Sequence, residues 1–335
     1  MKQRIILATT HIDRHSMRMT REALEGTAEQ INHGSRPLLT VEHDLSLPPY
    51  GKVVKAWVEP RDDGEYQLVV ENEIFDEVLW TELSDGTQLF KQESNSDRHP
   101  FMDRYTEVTD DVFLSYDWTN FDSEEDIQQF LQEINSQCHL EFTSNVFGRK
   151  SYIPDPEFLI GIAKAVGAYL IARKVLDKSS DKVLELVSED VAKVYTFMKA
   201  VIGSAVKYVR ARNRPITYVF VAQGNPTLEF IARSANASLV VSSMTLDKLE
   251  AALSHANFYY SAFEAVRIQY LLNSDGKWEF NFLLTNTGAV IGTEKSLSRR
   301  TRRFELLTRQ REAMDKANGV HMNLSSPNEG LDTES

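Results

Sequence analysis

Cysteine is nearly absent from this chain: Cys138 is the only one among 335 residues. An intramolecular disulfide is excluded, and a thiolate zinc cage would need ligands of other kinds. A lone thiol fits a reducing compartment, so a cytoplasmic protein is expected. Basic charge is also short, with 37 Lys plus Arg against 49 Asp plus Glu and a net charge of −12. Phosphate contacts need a basic surface, so a general nucleic-acid coat is not expected. Long apolar runs are missing as well. Near the N-terminus only Ile5 to Ala8 is apolar, too short for a signal-peptide core and suited to a first strand. The longest run, Phe158 to Ala172, contains Lys164 and falls short of the roughly 20 apolar residues of a membrane span. It reads as a buried core helix, and no membrane partner is expected. The second half has no phosphate loop, no His/Cys metal spacing and no dinucleotide glycine pattern, so no cofactor or metal is expected.

Hydrophobic residues make up 42% and aromatics 10%, which makes the chain a folded one of two-domain size. Its first half is strand-rich. His11, Asp13 and His15 follow the first strand as H-x-D-x-H, three metal-ligand types that share a face only if the loop is extended; a solvated loop is expected instead. Thr20 reads as the N-cap of a helix carrying Ala23, Leu24, Ala28 and Ile31, with Gly34 as its stop. Leu38 to Val41 is a strand leading to Glu42-His43-Asp44. Lys52 to Glu59 alternates, with Val53, Lys55 and Trp57 on one face and Val54, Ala56 and Val58 on the other. Asp62-Asp63-Gly64 turns the chain into a return strand over Tyr66 to Val70.

Several short motifs occur in order: Asp13, the helix near Thr20, Pro37-Leu38-Leu39, His43-Asp44, Pro49-x-Gly51-x-Val53, Asp63-Gly64 and Glu73-Ile74. This order over residues 5–75 resembles the amino-terminal half of the prohead (capsid-maturation) serine proteases of tailed phages. The resemblance implies that His43 stands where that family has its catalytic base. It also implies a nucleophilic serine later, in a strand reading Leu-Ser-apolar-Gly-Phe. The nearest match is Phe113-Leu114-Ser115-Tyr116-Asp117, which puts Ser115 at the nucleophile and an aspartate in place of the glycine. The family's Gly-Asp pair before the first helix is absent too.

A serine nucleophile needs a base within hydrogen-bond reach and a group that orients the base. Glu42 and Asp44 flank His43, but neighbours on a strand point to opposite faces, so neither orients it unless the chain turns there. No glycine follows Ser115 to supply oxyanion-hole amides. Two readings result. One is a soluble binding or assembly protein on a protease-like domain without full catalytic machinery. The other is an active serine endopeptidase using His43 and Ser115. The residues also allow plainer roles: a strand-end histidine bonded to a loop, and a serine in an edge strand over Val112 to Tyr116. Beyond it, Ser123 with Asp126 opens a helix carrying Ile127, Phe130 and Ile134.

In the second half, Asp155-Pro156 reads as the start of a helix through the apolar run to about Asp177. From Val183 to Val209 apolar residues keep helical spacing, so a helical hairpin is expected. Its stripe, within residues 156–212, would face the other arm, a protein partner or a second copy. Hairpins follow over Thr217 to Ala232 and over Val266 to Thr285, the latter turning at Asp275-Gly276, with a helix starting at Thr245 between them. Arg299, Arg300, Arg302 and Arg303 form a basic cluster, which would meet phosphate or an acidic partner, or neutralise the protein's own acidic surface. The expected class is α+β. Residues 1–150 form a β-rich protease-like domain, 151–305 a helical hairpin plus α+β sheet, and 306–335 a basic helix start and disordered tail.

Overall fold

The computed structural model describes residues 2–12, 18–103, 112–147, 155–162, 181–210 and 214–317. The fold is α+β and is built on two sheets. The first is a four-stranded antiparallel sheet in the order β1-β4-β3-β2, made of β1 (Lys2–Thr9), β2 (Leu38–Leu39), β3 (Gly51–Pro60) and β4 (Tyr66–Ile74). Helix α1 (Arg21–His33) covers one face of it. The Thr20 hydroxyl accepts from the Ala23 amide, as its sequence position implied. Leu24, Ala28 and Ile31 then pack on Val53, Ala56, Leu68 and Val70. Val53 shares that face with Ala56 because the β3–β4 register shifts between Val53 and Lys55. Strict alternation put the two residues on opposite faces; one bulged residue reverses the assignment.

The second sheet has ten strands in the order β5-β6-β14-β13-β12-β11-β10-β9-β7-β8. These are β5 (Leu79–Glu82), β6 (Gln88–Gln92), β7 (Phe113–Asp117), β8 (Thr143–Phe147), β9 (Glu157–Ile162), β10 (Ile216–Ala222), β11 (Thr227–Ser234), β12 (Ala265–Leu272), β13 (Trp278–Thr285) and β14 (Val290–Thr293). Strands from residues 79–92 and 113–147 close its two ends, pairing with β14 and β9. The expected domain boundary at residue 150 therefore falls inside one sheet.

The helix expected from Pro156 begins instead as strand β9, parallel to β10 from Glu157↔Thr217 to Ile162↔Ala222. Burial explains the misreading. Five of its six residues are buried, on both sheet faces, so the strand shows no alternation, and a short continuous apolar run looks alike in helix and strand. The rest of that expected helix, from 163 to about 177, lies outside the described residues. So do Asp13 and His15, and all but the first three residues of the disordered tail expected from Asp315; Asp315 to Ala317 are helical instead. His11 is described, with its Nε2 3.2 Å from Asp63.

One face of the large sheet carries the main core. Helix α2 (Glu124–Gln137) and α3 (Asp181–Tyr208) cover the β7–β10 end, and α4 (Ala237–Ser243), α5 (Leu246–Ala252) and α6 (Ala256–Phe263) cover the rest. Ser123 caps α2 by accepting from the Asp126 amide. Along α3, the stripe Val194, Phe197, Met198, Val201, Ile202 and Ala205 is buried against the chain's own sheet. The stripe expected to await a partner is thus consumed internally over the residues whose side chains are described. On the opposite face lie the 41–50 loop and α7 (Glu294–Ala317), a single helix that runs across the expected boundary at 305. No helix among the described residues is long and apolar enough to cross a membrane.

Candidate functional site

The two sheets are joined by buried charge. Lys52, fully buried on β3, points its ammonium at Asp97, 2.9 Å from Oδ1, and donates to the carbonyls of Asp97 at 2.6 Å and His99 at 3.1 Å. Arg36 Nε donates to the other oxygen, Oδ2, at 2.9 Å. Burial opposes ionisation of Asp97, but the Lys52 and Arg36 bonds and the His99 amide outweigh it and hold the carboxyl at about 2. Burial also pulls the Lys52 ammonium below its ordinary range. Gly288, at φ +72°, turns directly beside this cluster, where a Cβ would collide with the His99 carbonyl and crowd Lys52 Nζ. The β13–β14 turn of the large sheet thereby closes on the anchor residue of the small one.

Immediately before Lys52 runs the loop that carries His43. Strand β2 stops at Leu39, and Glu42 and His43 adopt left-handed backbone at φ 49° and 60°. Two consecutive non-glycine residues there are uncommon and are held only where the surroundings fix them. Those surroundings are visible. Asp44 accepts from the Ser46 amide at 2.9 Å and the Ser46 hydroxyl at 2.7 Å. The carbonyl of Leu45 accepts from Gln269 at 3.0 Å, that of Ser46 from Asn281 at 2.8 Å, and that of Pro49 from Arg300 at 2.6 Å. Behind the loop, Gln269 also donates to Glu229 at 2.8 Å and accepts from Asn281 at 2.6 Å, and Arg267 faces Glu229 at 3.3 Å. A file of buried polar side chains thus runs across the sheet and straps residues 45–49 to it.

This file redefines the basic cluster. Arg300 is buried; burial pushes its guanidinium down to about 10, and it serves the 48–49 carbonyls and Gln92. Arg299 donates to Asn281, and burial likewise lowers it. Arg303 Nε donates to Glu42 at 2.6 Å. Of the four arginines, Arg302 alone is exposed. The expected phosphate-binding patch is therefore mostly the internal fastening of α7, because one helical turn aims three of the arginines inward.

His43 lies in a cleft of about 110 Å³ lined by Glu42, Asp44, Asp155, Glu157, Thr217, Arg233 and Arg303 besides itself. Glu157, Thr217 and Arg233 form one row across β9, β10 and β11. Arg233 pairs with Asp155 and Arg303 with Glu42. Four carboxylates thus face two guanidiniums and one imidazole. Among the described residues no group of His, Cys, Asp or Glu has the arrangement of a metal site.

Ser115 sits elsewhere in the same layer. It is buried within β7, between Asn145 of β8 and Leu159 of β9, so β7 is an interior strand and not the expected edge. Its pairing with Leu159, two residues along from Glu157, puts it on the sheet face that carries the His43 cleft. It does not line that cleft. Asp117, where the resembled pattern has glycine, accepts from the Thr119 amide at 2.9 Å and the Thr119 hydroxyl at 2.8 Å, capping the turn that leaves the strand. An aspartate here starts a turn, whereas a glycine after the serine would free backbone amides.

A second, larger cavity of about 410 Å³ was missed by sequence reasoning. It opens between the β5–β6 hairpin, the end of α6 and the β13–β14 turn, with Leu89, Lys91, Phe263, Asn286 and Ile291 in its wall. Glu264, at φ 50°, ends α6 there and accepts from Asn286 at 2.6 Å. No local signal marks this cavity, since its walls come from four separate segments. Comparison of the chain with protein families, with curated proteins and with solved structures gives no match.

Proposed function

We propose that this chain is a binding or assembly protein whose N-terminal region is protease-like but lacks complete serine-hydrolase machinery. The observation that carries this reading is the placement of Ser115. A nucleophile must meet both its base and a substrate carbonyl. Ser115 is buried and does not line the His43 cleft, whose walls are paired acids and arginines. The exposed sheet edges support a binding role. Ile5, Ile6 and Leu7 on β1 and Leu79 and Trp80 on β5 stand in solvent, and apolar edges of this kind accept further strands.

A fluorophosphonate probe tests the reading. The purified chain is expected to stay unlabelled over a wide pH range. Labelling that disappears in Ser115→Ala and in His43→Ala would overturn it in favour of the second reading, an active serine endopeptidase. The shared sheet face of Ser115 and the His43 cleft is the observation that favours that alternative.

A further inference from the structure

We infer that two copies of this chain pair through strand β1, antiparallel about a twofold axis near Ile5, so that the two four-stranded sheets become one of eight strands. The inference deepens the assembly reading above and rests on it.

Among the described residues strand β1 is hydrogen-bonded only to β4, and its other edge is open. Ile5, Ile6 and Leu7 are 43%, 51% and 54% exposed, three apolar residues in succession on an unpaired edge. Natural edge strands are usually guarded by charged side chains that keep other strands away. Here the only charges on β1 are withdrawn from the edge. Lys2 reaches across to Glu71 of β4 at 2.7 Å. Arg4 crosses further, to Glu59 of β3 at 2.5 Å, with its guanidinium carbon 5.4 Å from the Trp57 ring. The charges stabilise the sheet inward and leave the apolar edge undefended.

The strand also complements itself. Antiparallel pairing about Ile5 sets Ile5 against its own copy, Arg4 against Ile6, Gln3 against Leu7 and Lys2 against Ala8. No charge meets a like charge, and each basic residue meets an apolar one. The register shift between Ile6 and Ala8 leaves Leu7 outside the β4 ladder and bends the strand there, so the Ile5–Ile5 and Arg4–Ile6 pairs form the centre of the interface and the outer pairs its margin. Such an interface is isologous and closes at two copies, because each β1 has one free edge. The other end strands are β2, two residues long, and β5 and β8 of the large sheet; pairing through β5 or β8 would join the large sheets instead and is the competing arrangement.

Sedimentation velocity of the full chain across a concentration series, with three variants, tests this. Wild type is expected to form a dimer of the 38.2 kDa chain. Ile6→Lys places a cation opposite Arg4 of the second copy and is expected to weaken the dimer by at least about tenfold in Kd. Ile6→Glu removes the same apolar side chain but places a carboxylate opposite Arg4, and is expected to keep the dimer. Trp80→Lys on β5 is expected to leave it unchanged. Both positions are exposed, so circular dichroism should match wild type. A dimer lost in Trp80→Lys and kept in Ile6→Lys overturns the β1 pairing while leaving the assembly reading intact. Equal loss in Ile6→Lys and Ile6→Glu overturns the register. A wild type that is monomeric at every concentration overturns the inference, whereas fluorophosphonate labelling of Ser115 overturns the assembly reading itself.

Discussion

The two sheets solve the same problem with different means. The ten-stranded sheet is buried on both faces at its centre, where Val219, Phe220 and Val221 are fully enclosed. In its core Tyr116 of β7 and Phe158 of β9 pack ring against ring with Phe121 and with Phe130 of the covering helix α2. The four-stranded sheet has one covering helix and a small core, and its first strand is exposed along most of its length. It is held to its larger neighbour by an aromatic contact, Phe75 with Phe101, and by the enclosed Lys52–Asp97–Arg36 cluster. Apolar burial tolerates small misplacements, whereas a buried ion cluster fixes a joint but fails sharply when one member is lost. The large sheet should therefore yield gradually to substitution and the small one abruptly.

Removing Asp97 is the strongest way to break that contrast. Asp97→Ala strands Lys52 and Arg36 without their carboxylate and is expected to cost about 3–5 kcal/mol. Urea denaturation should show it, and amide exchange should show β1–β4 losing protection before β9–β13. Loss of protection equally in both sheets would mean that the joint is not made of charge. The same carboxyl sets an acid limb. Its folded pKa of about 2 lies below the ordinary 3.8, so its stabilisation is complete above 3.8 and is lost as pH falls through about 2. A pH series of melting curves on Asp97→Asn should lack that limb.

Arg300→Leu comes next. It leaves the Pro49 carbonyl and Gln92 without their buried donor, at about 2–3 kcal/mol, and should release the 41–49 loop while the large sheet stays folded. Exchange of the Leu45 to Leu47 amides is the direct measurement. Gly288→Ala drives a methyl group into the His99 carbonyl from a left-handed turn and is expected to cost about 1–3 kcal/mol; the melting temperature reads it. The smallest effect is Thr20→Ala, about 1 kcal/mol for a lost N-cap, which exchange should confine to α1 and the small sheet.

Much of the local structure is legible in the residues. The α1 and α2 caps at Thr20 and Ser123, the β3–β4 hairpin at Gly64 and the β12–β13 hairpin at Gly276 all declare themselves through short-range chemistry. Strand β9 does not, because burial on both faces erases the period that distinguishes strand from helix. The arginines of α7 look like a surface patch because their acceptors, Pro49, Asn281 and Glu42, lie far away along the chain or on another strand. Lys52 reads as an ordinary strand lysine, and nothing nearby announces Asp97. His43 stands out in the sequence between two carboxylates, but the left-handed turn that carries it away from strand geometry does not.

By itself the sequence determined what depends on neighbours within a few residues: caps, turns, most strands, the class α+β, and the shortage of thiols and positive charge. Only the tertiary structure decided which strands share a sheet, that strands within 79–92 and 113–147 close the two ends of the large sheet, and that Ser115 is buried apart from the His43 cleft. Those outcomes depend on pairings between distant segments, whose free energies come from burial and from charges meeting across the fold. No window of sequence contains both partners.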